Sequence, residues 1–157
     1  MAFLMHLNDN NDMNAEQMWS QYGIEGYHEA WAFEQAPDEL AALVISGIKT
    51  ATCSPMYYYD VLKERMPQVG DHSIILDSKN EAVCIIKTTA LRICPFDQVD
   101  ERQAYKEGEG DRSLAYWRQV HEDYLRQVFK GRDVCFDGDT LLLCEEFEVV
   151  WPKQQKP

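Results

Sequence analysis

"HSIILDSKNEAVCIIKTTALRI", His72 to Ile93, decides how the rest of the chain is read. Two runs rich in isoleucine, valine and threonine flank the turn-forming "SKNE", and branched side chains of this kind suit a pleated surface. The pattern predicts an antiparallel hairpin, fed by the turn "MPQVGD" just ahead of it. Further on, the tight turn "CFDGDT" leads into "LLLCEEFEVVW", a partly alternating strand that must pair with the hairpin.

Helices surround these strands. Asn14 with Gln17 forms a capping-box pattern for a short helix through Tyr22, which the loop around Gly23 and Gly26 ends. After Pro37, "DELAALVISG" sets Leu40, Leu43, Val44 and Ile48 at helical spacing, and Gly47 suits a left-handed exit. Ser54 and Pro55 read as the start of a third helix, with Tyr58, Val61 and Leu62 on its buried face. Asp111 is expected to cap a long amphipathic helix carrying Leu114, Trp117, His121, Tyr124 and Val128 on one face. The expected class is α+β: a small β-barrel of mostly antiparallel strands, with flanking helices against its openings. Residues 1–157 read as one domain, with an acidic helical extension over 1–36 and the barrel core with its helices over 37–152.

The formal net charge is −12, and its distribution is uneven. The first forty residues carry eight acids and no lysine or arginine, so most of the negative charge is concentrated there. Long duplex DNA is an unsuitable partner for such a chain, whereas short single strands or a small nucleoside are compatible with it. No run approaches the roughly 18 apolar residues of a membrane-spanning helix, and the N-terminus shows no basic leader or small-residue cleavage site. No membrane association and a cytoplasmic location are expected. Five cysteines without a Cys-x-x-Cys pair argue against a disulfide framework or zinc knuckle.

The chain's first cation other than histidine, Lys49, sits in "GIKTATCS", where the second helix ends among hydroxyls and a thiol. A threonine hydroxyl needs a neighbouring base or cation to act as a nucleophile, and a lysine can hold a phosphate or a developing oxyanion. A glutamate can move a proton, and "EGEGD", Glu107 to Asp111, supplies candidates just before the long helix. If Lys49 and Thr52 cooperate, the backbone must bend between them, because strand side chains alternate in direction. Plainer readings compete: a lysine after a helix-ending glycine is common capping chemistry, and His121 on an apolar face reads as a packed, half-buried histidine. Cys53 sits beside the motif and offers a second candidate nucleophile, but no partner base is announced near it in sequence, so a structural thiol is the preferred reading; a hard-metal site is only weakly signalled.

The pieces in order resemble the ASCH domain family. "ELAALVISGIKTATCS" holds its Gly-x-Lys-x-x-Thr as Gly47, Lys49 and Thr52; "MPQVGDHSIILD" and "AYKEGEGDRSLAYWRQVHEDYL" continue the match, the latter typical of a longer bacterial subgroup. The resemblance implies a PUA-like barrel with a site at its mouth, and hydrolysis of RNA-related substrates. The longer subgroup points first to ribonuclease-like action on single-stranded RNA, with manganese or magnesium as possible metal and no other cofactor. Amide hydrolysis of acetylated cytidine or a related modified nucleoside is the alternative, and a binding-only RNA or nucleoside module is a third. Lys49 and Thr52 match the family's catalytic residues directly, and its glutamate maps onto Glu107, with Glu109 the neighbouring choice. Thr50, Ser54, Tyr59, Glu109, Arg112 and Trp117 are expected to contact substrate.

Overall fold

The computed structural model describes residues 13–154. Five strands form one sheet in the order β1 (His28–Ala32), β3 (His72–Leu76), β4 (Ala82–Pro95), β5 (Leu141–Trp151), β2 (Ala51–Pro55). The β1–β3 pair is parallel and the other three are antiparallel. The sheet curls into a half-barrel whose edges are β1 and β2, so the α+β, PUA-like architecture holds. Its curl resides in the two long strands. The β4–β5 register shifts between Ile85 and Ile86 and again between Thr88 and Ala90, and such irregularities bend a strand and increase its twist.

The hairpin expected from His72–Ile93 is present, and Asp77 closes it by accepting from the backbone N–H groups of Lys79 and Glu81. Alternation along its strands sorts the core into two faces. Ile74 and Ile85 pack with Met18 and Trp19 of α1 (Ala15–Tyr22). Ile75, Cys84 and Ile86 face Ala41 and Val44 of α2 (Pro37–Ile45). A third cluster joins Cys94, Leu142 and Cys144 of the sheet to Trp117, Leu125 and Phe129 of α5 (Leu114–Phe129). Each fully buried aliphatic or aromatic side chain contributes about 1.5–3 kcal/mol, so these three contacts fix the helices on the curl.

Several local expectations are corrected. Residues 1–36 are not purely helical: α1 shows the expected capping box, but His28–Ala32 is a sheet strand, added as an edge beside β3. Residues 1–12 of that segment lie outside the described residues. Ser54 and Pro55 end strand β2 instead of opening a helix; the helix that follows, α3 (Tyr57–Asp60), is one turn long. Val61 and Leu62, 57% and 42% exposed, are not its buried face. Pairing with β5 takes the "ATCSP" backbone into the sheet, so tertiary hydrogen bonding overrides the local helix-start signal. Ser113, not Asp111, caps α5 by accepting from the Tyr116 N–H, while Asp111 accepts from the Ser113 N–H one turn earlier.

The element that most directly positions the site is α4 (Glu101–Glu107), ended by Gly108 at φ +73°. Its last carbonyls meet the loop after α2: the Thr50 N–H donates to the Lys106 carbonyl at 2.7 Å. A Cβ at Gly108 would lie 2.6 Å from the Ile48 carbonyl oxygen, which is backbone and cannot swing aside. Gly108→Ala combines a left-handed residue with this clash, so a loss of about 2 kcal/mol or more is expected in urea unfolding. A loss under about 0.5 kcal/mol, the range of neutral surface changes, contradicts the close approach.

Candidate functional site

A cavity of about 370 Å³ opens where β2, β5, the 33–35 loop, α4 and α5 converge, near the low end of the usual range for small-molecule sites. Lys49, Thr52 and Glu107 all line it, so the two sequence-distant segments do meet. Lys49 stands ahead of β2 and not within it, so strand alternation does not fix its direction relative to Thr52, and both residues line the cavity.

Lys49 is 1% exposed. An ammonium so enclosed costs several kcal/mol unless charged or dipolar partners surround it. Its Nζ donates to Glu109 Oε2 at 3.0 Å and to the Glu107 carbonyl at 3.3 Å, with Glu107 Oε1 at 3.8 Å. Phe33 lies beneath it, its ring centre 5.4 Å away.

Glu107 is held as tightly. Its Oε2 accepts from Trp117 Nε1 at 2.5 Å and from Gln103 Nε2 at 3.1 Å, while Oε1 faces His121 Nε2 at 3.3 Å. Burial pushes this carboxyl up, but His121, Lys49 and Trp117 outweigh it and hold it at about 2. His121 completes the arrangement. Its Nδ1 lies 2.8 Å from the Trp117 carbonyl and its ring stacks on that indole at 4.1 Å and 14°. Both imidazole nitrogens thus face acceptors, which requires a proton on each. Burial alone lowers the imidazole; Glu107 and the Trp117 carbonyl reverse that and raise it above 6.5.

The remaining expected residues divide. Ser54 and Tyr59 line the cavity and bond to each other at 2.8 Å, and Glu109 lines it beside Lys49. Thr50, Arg112 and Trp117 do not reach the lining. Both the N–H and the hydroxyl of Thr50 turn to the Lys106 carbonyl. Arg112 covers the Tyr105 ring and donates to the Tyr105 and Ile48 carbonyls, so it braces the loop. Trp117 stands behind Glu107 as its donor.

Three participants escaped the sequence reading. His121 reads as a packed histidine from its apolar helix face, and its i, i+4 spacing from Trp117 is the available signal for more. Glu145 lies directly across from Thr52 in the β2–β5 pairing, a contact invisible without the register. Glu34, also in the lining, accepts from the Tyr58 and Tyr124 hydroxyls. Cys53 keeps its plain reading: burial, and after it Glu107, push its thiol well above 9.0, so it is no thiolate nucleophile.

Among the described residues, one group of metal-binding side chains lies close enough to share an ion: Cys53, Glu107 and His121, with ligand atoms within 4.8 Å of one another. A thiol, an imidazole and one carboxylate do not suit manganese or magnesium, which call for several oxygen ligands. Among the described residues, no helix is long and apolar enough to cross a membrane.

The ASCH domain model matches residues 29–151. Among solved structures, the chain resembles an ASCH domain from Lactobacillus crispatus, with 32% identity and a TM-score of 0.81, covering 86% of this chain and 92% of that one. It likewise resembles a protein from Enterococcus faecalis, with 31% identity and a TM-score of 0.74, covering 86% of each. No curated protein matches the chain.

The Glu107–His121 pair gives stability a defined pH window. Glu107, depressed from 4.5, contributes above that value and loses its contribution as pH falls toward about 2. His121, raised from 6.5, contributes fully below 6.5 and loses its contribution as pH rises through its folded value. The stability advantage of wild type over His121→Gln in urea unfolding is therefore expected to peak between pH 4.5 and 6.5. An advantage that stays level from pH 5 to about 9, well past the ordinary imidazole range, contradicts the charged pair.

Proposed function

The chain belongs to the ASCH domain family, and from that premise we propose that its cavity hydrolyses the acyl–nitrogen bond of a small, nucleoside-sized amide such as acetylated cytidine. The observation that carries this reading is the charge of the walls. Six glutamates line the cavity against Lys49, Arg65 and the protonated His121. All three cations are already committed, Lys49 to Glu107 and Glu109, His121 to Glu107, and Arg65 to Asp71. An RNA strand brings a negative charge with every phosphate and needs free cations to receive it. An uncharged amide has no such requirement, and the donor set's poor fit to hard metals also favours it over metal-assisted strand cleavage.

In this reading the Thr52 hydroxyl, or a water it orients, bonds to the amide carbonyl carbon. The Lys49 ammonium faces the oxyanion that develops on the carbonyl oxygen. Glu107, already ionised and surrounded by donors, holds Lys49 and His121 in place, and the proton between His121 Nε2 and Glu107 Oε1 is the mobile one. It passes to the leaving nitrogen as the carbon–nitrogen bond breaks, and the proton of the attacking hydroxyl replaces it; where Thr52 itself attacks, a water then adds to the threonine ester, gives one proton to the same site as the ester oxygen takes one back, and so releases the carboxylic acid and restores the hydroxyl. Gln103 and Trp117 keep the Glu107 carboxylate from rotating during this exchange.

Lys49→Ala, Thr52→Val and Glu107→Gln are each expected to lower kcat/KM on acetylated cytidine by about 100-fold or more, the scale of losing one oxyanion donor. Short single-stranded RNA, with or without manganese, should remain intact. Wild-type turnover in Lys49→Ala and Glu107→Gln, or RNA cleavage without amide hydrolysis, overturns the reading.

A further inference from the structure

The charge of the cavity also says which amides it is built to accept. After Lys49 and Arg65 are paired, the carboxylates of Glu29, Glu34, Glu64 and Glu145 still face the space. Acidic side chains at a surface are commonplace; Glu145 is not at a surface. It is 8% exposed, and among the described residues its side chain makes one hydrogen bond, a long one in which the Thr88 hydroxyl donates to Oε2 at 3.4 Å. Its other oxygen has no hydrogen-bond or ion-pair partner among the described residues. No fully enclosed side-chain oxygen or nitrogen in the described structure lacks a partner, so this oxygen opens on the cavity it lines. A buried carboxyl with a vacant acceptor calls for a donor, and preferably a charged one.

The surroundings narrow that donor. Trp31, Phe33, Tyr58, Tyr59 and Tyr124 contribute to the same lining, and aromatic faces next to carboxylates are a suitable bed for an organic cation. Among the described residues, no basic side chain pairs with Glu145 as an internal counter-ion. Glu145 also stands across from Thr52, so a cation bonded to it would lie one cross-strand step from the reacting hydroxyl. Burial, reinforced by Glu29 and Asp71, leaves this carboxyl at about 7, the condition of a group awaiting a positive partner.

We infer that the substrate carries a protonated nitrogen, separate from the acylated one, which docks on Glu145 while the acyl group lies against Lys49 and Thr52. The class is an N-acylated amine with a second, cationic nitrogen, whether on a polyamine chain or on a modified nucleoside. The inference rests on the amidohydrolase reading for the orientation of the acyl group, and on the cavity walls alone for the cation.

The test is calorimetric titration at low salt with mono-acetylated 1,4-diaminobutane and with N-pentylacetamide, its uncharged isostere. The cation is expected to bind at least tenfold more tightly, and the advantage should shrink as salt screens the walls. Glu145→Gln, which keeps side-chain volume and is checked for folding by circular dichroism, should reduce the ratio of the two affinities about tenfold. Glu29→Gln should reduce it less. A cationic nucleoside arm in place of the diamine separates the two sources of the cation.

Equal affinity for the two isosteres, an undiminished ratio in Glu145→Gln, or binding of neither overturns the inference. Tight binding of the cation with no hydrolysis supports this inference and counts against the amidohydrolase reading. Hydrolysis of the neutral isostere with equal affinity does the reverse.

Discussion

The ammonium of Lys49, enclosed at the junction of two segments nearly sixty residues apart in sequence, is the constraint on which the site depends. A buried charge must be met by charge and dipole, and here the partners come from the end of α4: the Glu107 carboxylate, the Glu107 carbonyl and Glu109. Gly108 allows that helix end to close on Ile48, and the Thr50 N–H fastens the loop to Lys106. Packing brings the segments into range, and the ion pair fixes which atoms face the cavity. Breaking such a pair from one side is usually costly by several kcal/mol, because the remaining partner stays buried without compensation.

Glu107 then passes the constraint to α5. Trp117 and His121 sit one turn apart, so the indole N–H and the imidazole reach the two oxygens of one carboxylate from a single helix face. The Trp117 carbonyl holds the far nitrogen of His121, and the stacked rings fix the imidazole plane. Two hydrogen-bond donors, Trp117 and Gln103, and two cationic neighbours, His121 and Lys49, make this carboxylate a rigid anion and a poor free base. In the proposed reaction the mobile proton therefore lies between His121 and Glu107, with neither residue acting alone. At Glu145 the electrostatics are different: it is buried with few donors, and the two glutamates of one cavity lining are driven in opposite directions from the same ordinary value.

Much of this was legible in the chain itself. The His72–Ile93 hairpin, the Asn14 capping box, the Gly47 exit and the α5 face follow from local periodicity and turn chemistry, and the structure has all four. The Lys49–Thr52 motif and the Glu107 region were recognisable by pattern, and they share one cavity. Strand β2 was missed because "TATCSP" has no apolar run; its strand state comes from pairing with β5. Helix α4 was missed because its seven residues are too few for a period to be visible, and its stability lies in the Asp100 cap and the buried Gln103, Ala104 and Glu107. Glu145 and His121 owe their chemistry to register and to neighbours distant in sequence, and no local pattern encodes either.

The central assertion is that Glu107 is an ionised, fully enclosed anion that Lys49, Trp117 and His121 keep in that state. Carbon-detected NMR of the Glu107 carboxyl in protein labelled at glutamate, followed from neutral to acidic pH, reads this state directly. The carboxyl should remain ionised through the ordinary glutamate range and titrate only near pH 2 or with acid unfolding. A midpoint at or above 4.5 would mean that burial dominates its partners, and that the cluster is not the charged assembly described here.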